Sequence, residues 1–144
     1  MDAAAEKAPL TDPDSFRHWT DEKFRFSDTD MVGHVNNAVY ATLLESGRVS
    51  FLYDSKHPLR PPGHDFVIVR LVIDFRAEAH YPGRVRIGTR LAALGGRSFT
   101  LGQGVFGEDG TCIATGESVL VLIDHESRRA APLPAPLRER LMAL

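Results

Sequence analysis

A chain of 144 residues, 43% hydrophobic and 25% charged, has the make-up of one globular domain with one core, neither disordered nor embedded in a bilayer. Its formal charge of −2 and pI near 6.3, with arginines scattered along the chain, exclude the basic field that nucleic acid requires. Cys112 is the single cysteine, so no internal disulfide can form, and the first residues carry no apolar run of the kind found in signal peptides or anchors; both features point to the cytoplasm.

Residues 1–15, rich in Ala, Asp and Pro without periodicity, are expected to form a loose tail ahead of a single domain over 16–144. Phe24 and Phe26 alternate with Lys23 and Arg25, the period-2 pattern of a half-buried strand, expected to end at Ser27. Two acids follow, Asp28 and Asp30; Gly33 then allows a turn, and Asn36 or Asn37 suits a helix cap. From Ala38 onward Tyr40, Leu44, Gly47 and Phe51 recur three or four apart, and Val39 and Leu43 widen the stripe, so a long helix offers one broad face to a core.

The N-terminus of such a helix leaves backbone N–H groups unpaired and carries about +0.5 of a charge, which suits it to holding an oxyanion. Asp30 stands seven residues before Asn37, so a folded-back loop would set a nucleophile or base opposite that cradle, an arrangement for acyl transfer. The same residues have a plainer use: Asp28 and Asp30 can satisfy loop amides, and His34 can hold the loop to the backbone. Glu45 lies two turns into the helix near the side of Thr42, where it is exposed or else needs a partner.

Pro58, Pro61, Pro62 and Gly63 mark residues 54–65 as a connecting loop that can border the site, with His57 and His64 in it. From Phe66 to Arg76 a second strand alternates, with Val67, Val69, Leu71, Ile73 and Phe75 on one face and a half-apolar set on the other, as in a central strand. Tyr81-Pro82-Gly83 turns into a third strand with Val85, Ile87, Thr89, Leu91 and Ala93 inward, ended by Gly95-Gly96. A fourth strand, 98–106, meets the Asp109-Gly110 hairpin signal, and a fifth runs from 112 to 123; Gly102, Gly104 and Gly107 within this pattern relieve crowding or permit a bulge. Arg128, Arg129 and three prolines precede a short helix expected at 137–144, read as a packing tail. The six histidines show no HExxH or comparable ligand spacing, and no glycine-rich phosphate loop occurs, so no metal is assigned.

The run Asp28-Thr29-Asp30-Met31-Val32-Gly33-His34-Val35-Asn36-Asn37, placed between strand and helix, resembles the signature of hot-dog-fold acyl-CoA thioesterases of the 4-hydroxybenzoyl-CoA thioesterase class. With the four later strands the resemblance extends over roughly residues 19–140. It implies an α+β fold, a five-stranded antiparallel sheet wrapped around one long central helix. It further implies hydrolysis of acyl-CoA thioesters to a free acid and coenzyme A, without a consumed cofactor. The second aspartate of the signature is the catalytic one in that class, which puts the role on Asp30, with the oxyanion amide at Asn37 and His34 beside them. His34-Val35-Asn36-Asn37 followed by Tyr40 is also similar to plant acyl-carrier-protein thioesterases, but those carry an asparagine where Val32 stands here, which favours the coenzyme A type. Tyr40 and Glu45 are expected at the substrate, and Arg60, Arg97 and Arg128, with Arg129, are the candidate contacts for the coenzyme A phosphates.

One helix covers one sheet face, so a homodimer or homotetramer is expected to cover the rest. Two rival readings are a hot-dog hydratase or dehydratase, whose usual signature has four residues between aspartate and histidine rather than the three between Asp30 and His34, and a non-catalytic acyl-CoA-binding module, which would not need Asp30.

Overall fold

The computed structural model describes residues 8–144. In chain order these form β1 (His18–Lys23), α1 (Asn37–Leu52), β2 (His64–Phe75), β3 (Arg84–Leu94), β4 (Ser98–Gly107), β5 (Cys112–Asp124) and α2 (Ala135–Met142). The strands make one sheet in the order β1-β3-β4-β5-β2, every pair antiparallel, with α1 held in its concave side: the α+β hot-dog architecture.

The stripe on α1 packs as its spacing requires, with Tyr40, Leu43, Leu44, Gly47, Phe51 and Leu52 buried. Gly47 sits at the tightest point, where an added Cβ would lie 2.7 Å from Gln103 Nε2 and 2.8 Å from Ile87 Cγ2. This closeness lets Gln103 Nε2 donate to the Leu44 carbonyl (2.9 Å) and to Thr89 Oγ1 (3.0 Å), while its Oε1 accepts from Arg48 Nη1 (3.4 Å). Gln103, Thr89 and Arg48 are all buried, and burial pushes the Arg48 guanidinium below its ordinary pKa, opposed by the charge of Glu45. Beyond this polar waist the core has two lobes. Tyr40, Leu43, Leu44, Val85, Ile87 and Val105 fill one; Phe51, Leu52, Phe99, Leu101 and Leu122 fill the other, closed by Leu137 and Leu141 of α2.

Several elements depart from the expected bounds. The first strand lies earlier, at His18–Lys23, and Phe26–Asp28 is one turn of 3₁₀ helix, because the Asp28 carboxylate accepts from the Arg25 amide (2.7 Å) and closes the chain into a turn. Phe26 is consequently exposed and packs edge-on against Tyr81. α2 begins at Ala135, two residues early, since Pro136 is tolerated in a first helical turn.

The face assignment of β2 is corrected by a bulge. Ile68 pairs with Leu120 and Arg70 with Val119, so Val69 is an extra residue and the alternation changes phase there. Opposite the inward residues Leu122, Leu120, Ser118 and Gly116 stand Phe66, Ile68, Leu71 and Ile73; Val67 and Val69 do not share their face. β2 is also an edge strand, not a central one. A second bulge at Ala92 in β3 puts Leu94, rather than Ala93, on the inward face opposite Phe99.

Of the expected tail, residues 1–7 lie outside the described residues. Residues 8–16 run across the outer face of the sheet, where Leu10 and Phe16 lie on a floor of Gly88, Gly102 and Gly104. Cβ atoms at those three positions would come within 2.4–2.7 Å of this segment, so the glycines in the strands are there for its close approach. Arg90 ties the segment down through the Ala8 carbonyl and Ser15 Oγ, with its guanidinium over the Phe16 ring (5.2 Å). Part of the outer face is therefore covered by the chain itself.

Gly47→Ala tests the waist. Alanine gains up to about 1 kcal/mol in helix propensity, but overpacking costs about 1–3 kcal/mol, so the variant is expected to be less stable by roughly 1–2 kcal/mol. Urea unfolding followed by circular dichroism reads this as a lowered midpoint; an unchanged or raised midpoint would show that Gln103 and Ile87 yield at little cost.

Candidate active site

The segment between β1 and α1 is held by two acids with different surroundings. Asp28 is buried and points back, accepting from Arg25 Nη2 (3.0 Å) and Nε (3.3 Å) as well as from the Arg25 amide, while its carbonyl accepts from the Asn36 amide (2.8 Å). Asp30 is exposed. Its Oδ1 accepts from the Val32 and His34 amides (2.9 and 3.1 Å), its own amide donates to the His34 carbonyl (2.8 Å), and among the described residues Oδ2 accepts no hydrogen bond. Gly33 makes this tight loop possible with a φ of 88°, a left-handed conformation that glycine adopts without strain.

Two short contacts then fasten the loop to the chain beyond β2. His34 bridges His80, and the Val35 amide donates to the Ala79 carbonyl (2.8 Å). The helix follows at once. Asn36 is the cap, its Oδ1 accepting from the Ala38 amide (3.1 Å), which makes Asn37 the first helical residue, with an N–H that has no partner inside the helix.

Asp30, His34, Asn37 and Tyr40 therefore meet in one cleft of about 330 Å³, whose opposite wall is Phe75, Arg76, Ala77, Glu78 and Ala79. Tyr40 is buried against the Phe75 ring (5.5 Å), and burial raises the pKa of its hydroxyl. A carboxylate with a free oxygen and a bare helix-start amide thus border the same space, as a site for a carbonyl centre requires.

The other expected residues are not brought to this cleft. Glu45 is exposed on the helix, and its charge is felt at Arg48. Arg60 pairs with Asp65 (3.0 Å) and lies over Tyr53; Arg97 is exposed between β3 and β4; Arg128 follows β5 in a left-handed turn (φ 59°). All three stand at the His64–Asp124 end of the sheet, whereas the cleft is at the Phe75–Ala114 end. At roughly 3.3 Å per residue, the 12 residues of β2 separate them by about 35 Å within one chain. The 54–65 loop shares that far end and does not border the cleft of its own chain. Asp65 there is held below the usual carboxylate range by Arg60 and His125.

Sequence reasoning missed the second wall. Arg76 and Glu78 lie just past a strand end, with His80 beyond the cleft lining, and their one available signal is that Glu78 and His80 stand two apart in sequence.

The thioesterase-like superfamily model matches residues 24–141. The long-chain acyl-CoA thioesterase FadM of Escherichia coli (strain K12) is 33% identical over 125 residues, which cover 85% of this chain and 95% of that protein. Among solved structures, the PA5185 protein of Pseudomonas aeruginosa superposes with a TM-score of 0.81 at 27% identity, covering 90% of this chain and 92% of the other. The YbaW probable thioesterase of Escherichia coli gives 0.76 at 32% identity, covering 87% and 96%.

The different surroundings of the two acids separate in a stability experiment. Asp28→Asn weakens charged hydrogen bonds to a buried carboxylate and is expected to cost about 1–3 kcal/mol, whereas Asp30→Asn, at an exposed position, should stay within about 0.5 kcal/mol of the native protein. Equal losses in chemical denaturation would contradict this division.

Proposed function

From the premise that this chain belongs to the thioesterase-like superfamily and is a thioester hydrolase, we propose that it cleaves acyl-CoA thioesters with Asp30 as the reacting carboxylate and the Asn37 amide as the oxyanion donor. The observation that carries this reading is the meeting of Asp30 and the start of α1 in one cleft. The thioester carbonyl would sit with its oxygen at the Asn37 N–H, where the positive end of the helix stabilises developing negative charge. Asp30 Oδ2 would then attack the carbonyl carbon and expel coenzyme A as its thiolate to give an anhydride that water hydrolyses, or take a proton from a water whose attack expels the same thiolate. The two amides on Oδ1 orient the carboxylate for either role. His34 contributes through its backbone amide, and its imidazole forms part of the wall. Tyr40 and Phe75 offer an apolar surface for the acyl group.

Among the described residues no helix is long and apolar enough to cross a membrane. A cytoplasmic setting belongs to the same proposal and agrees with a free Cys112. Among the described residues of one chain, Arg76 is the arginine or lysine that lines the cleft, so we assign it first to the coenzyme A phosphates; Arg60, Arg97 and Arg128 would serve only if a second chain brought them to the cleft. Such a second chain has a natural place. β2 is a 12-residue edge with Val67, Ile68, Val69, Leu71, Val72 and Phe75 all exposed, so we propose that two copies join along it. Light scattering during gel filtration should give at least twice the 15.9 kDa chain mass; a stable monomer at micromolar concentration would remove this assembly.

Asp30→Asn preserves size but removes both nucleophile and base. Thiol release from an acyl-CoA that the native protein hydrolyses should fall by at least about 10²-fold, with the fold retained. Undiminished kcat would exclude the mechanism. A single turnover of the native enzyme in heavy-oxygen water then tests for the anhydride: label entering Asp30 requires it, because a general base exchanges no carboxylate oxygen, whereas label only in the product acid means that water attacks the acyl carbon.

A further inference from the structure

At the rim of the cleft three side chains from two distant parts of the sequence converge. His34 Nε2 lies 3.3 Å and His80 Nε2 4.0 Å from the same oxygen, Oε2 of Glu78, and the three ligand atoms all lie within 4.8 Å of one another. The His34–His80 bridge in the backbone fixes this, setting the two rings edge to face with centroids 4.9 Å apart. His80 Nδ1 is 3.3 Å from the Gly33 carbonyl, which can only accept, so Nδ1 carries a proton. In the neutral ring Nε2 is then a bare lone pair, turned towards a carboxylate oxygen that is itself an acceptor. Two acceptors facing each other across 4.0 Å leave room between them for a second proton on the ring, a bridging water or a metal ion.

We infer that His34, Glu78 and His80 bind a divalent transition-metal ion of the zinc class, and that filling this site slows turnover; the second half rests on the hydrolase reading of the cleft, the first does not. The donor set is two imidazole nitrogens and one carboxylate oxygen, which suits Zn²⁺, Co²⁺ or Ni²⁺ rather than Ca²⁺ or Mg²⁺, and leaves a position for water. Tetrahedral zinc with bonds of roughly 2.0–2.2 Å has ligand atoms roughly 3.3–3.6 Å apart, so the 3.3 Å pair already has the required spacing, and His80, 4.0 Å from Glu78 Oε2 and with ligand atoms of the set within 4.8 Å of one another, must turn inward by up to roughly 1.5 Å. The Nδ1–H contact to a backbone carbonyl is the outer support that metal-bound histidines usually have. The side chains are 32%, 70% and 59% exposed for His34, Glu78 and His80, so an ion can enter from solvent.

Such an ion is not the catalyst. It would tie the His34 ring to the 78–80 segment, and the His34 amide is one of the two donors that orient Asp30. It would also set a positive charge beside the cleft that competes for that carboxylate. The acyl site and the ion would thus share one loop.

The test uses full-length, untagged protein with ZnCl₂ as the probe. Competition with a chromophoric chelator should show one Zn²⁺ per chain, and CoCl₂ should give visible absorption bands of a nitrogen- and oxygen-bound ion. Loss of a mere outer-shell partner commonly weakens metal binding about 10- to 100-fold, so His80→Ala and, separately, Glu78→Gln should each weaken Zn²⁺ by at least about tenfold. Unchanged affinity in both variants overturns the site. In the same preparations Zn²⁺ should reversibly inhibit thioester hydrolysis by the native enzyme, with recovery on chelation, while His80→Ala keeps its metal-free activity and resists the ion. Equal inhibition of native enzyme and His80→Ala overturns the coupling. A preparation that binds Zn²⁺ at this site but hydrolyses no thioester counts against the hydrolase reading instead.

Discussion

The fold turns on how closely α1 may approach the sheet. A side chain at Gly47 would hold the helix away, and Gln103 would lose its reach to the Leu44 carbonyl. In its place the helix backbone rests almost on Ile87 and Gln103, and a buried carboxamide joins Thr89, the helix backbone and Arg48 into one polar contact inside an apolar core. Such a contact has direction, whereas packing by Leu44 and Phe51 would tolerate small slides along the axis. Fixing the helix at its middle also fixes its start: Asn37 lies ten residues away, about 15 Å at 1.5 Å per residue. The amide that opens the helix is therefore delivered to the cleft by a contact well inside the protein.

The loop before that amide divides its labour between two similar residues. Asp28 is spent on structure, since it turns inward, pairs with Arg25 and holds the Asn36 amide through its backbone. Asp30 is spent on exposure, with one oxygen orienting the group and the other left open. The surrounding chain enforces the difference: Val35 binds the Ala79 carbonyl, so the loop cannot swing away from the wall at 75–79 without breaking backbone bonds.

Legibility in the sequence followed the range of the forces involved. The stripe on α1, the Gly33 turn, the cap at Asn36 and the Asp109-Gly110 hairpin are set by neighbours a few residues apart, and they stand where spacing and turn chemistry put them. Asp30, His34, Asn37 and Tyr40 were legible as a group because loop and helix are contiguous in sequence. The faces of β2 were not, because a strand's period is exposed to any single extra residue, and Val69 is one. The second wall of the cleft was invisible for a different reason: Arg76 and Glu78 reach Asp30 only through pairing across the fold. The glycines of β3 and β4 could be read as relieving crowding, but what crowds them is the segment at 8–16, whose composition resembles a loose tail.

The extra residue in β2 has an implication for how this strand tolerates insertions and deletions. Removing a residue from a regular strand reverses the facing of everything on one side of the cut, so an in-frame loss of one codon is ordinarily ruinous in a sheet. Val69 is the exception. With it gone, Ile68, Arg70 and Leu71 would alternate regularly, and Phe66, Ile68, Leu71 and Ile73 would keep their inward positions opposite Leu122, Leu120, Ser118 and Gly116. What would change is the local twist and bend along the sheet edge. That codon is thus the place in β2 where gene length can drift while the core pattern stays in phase.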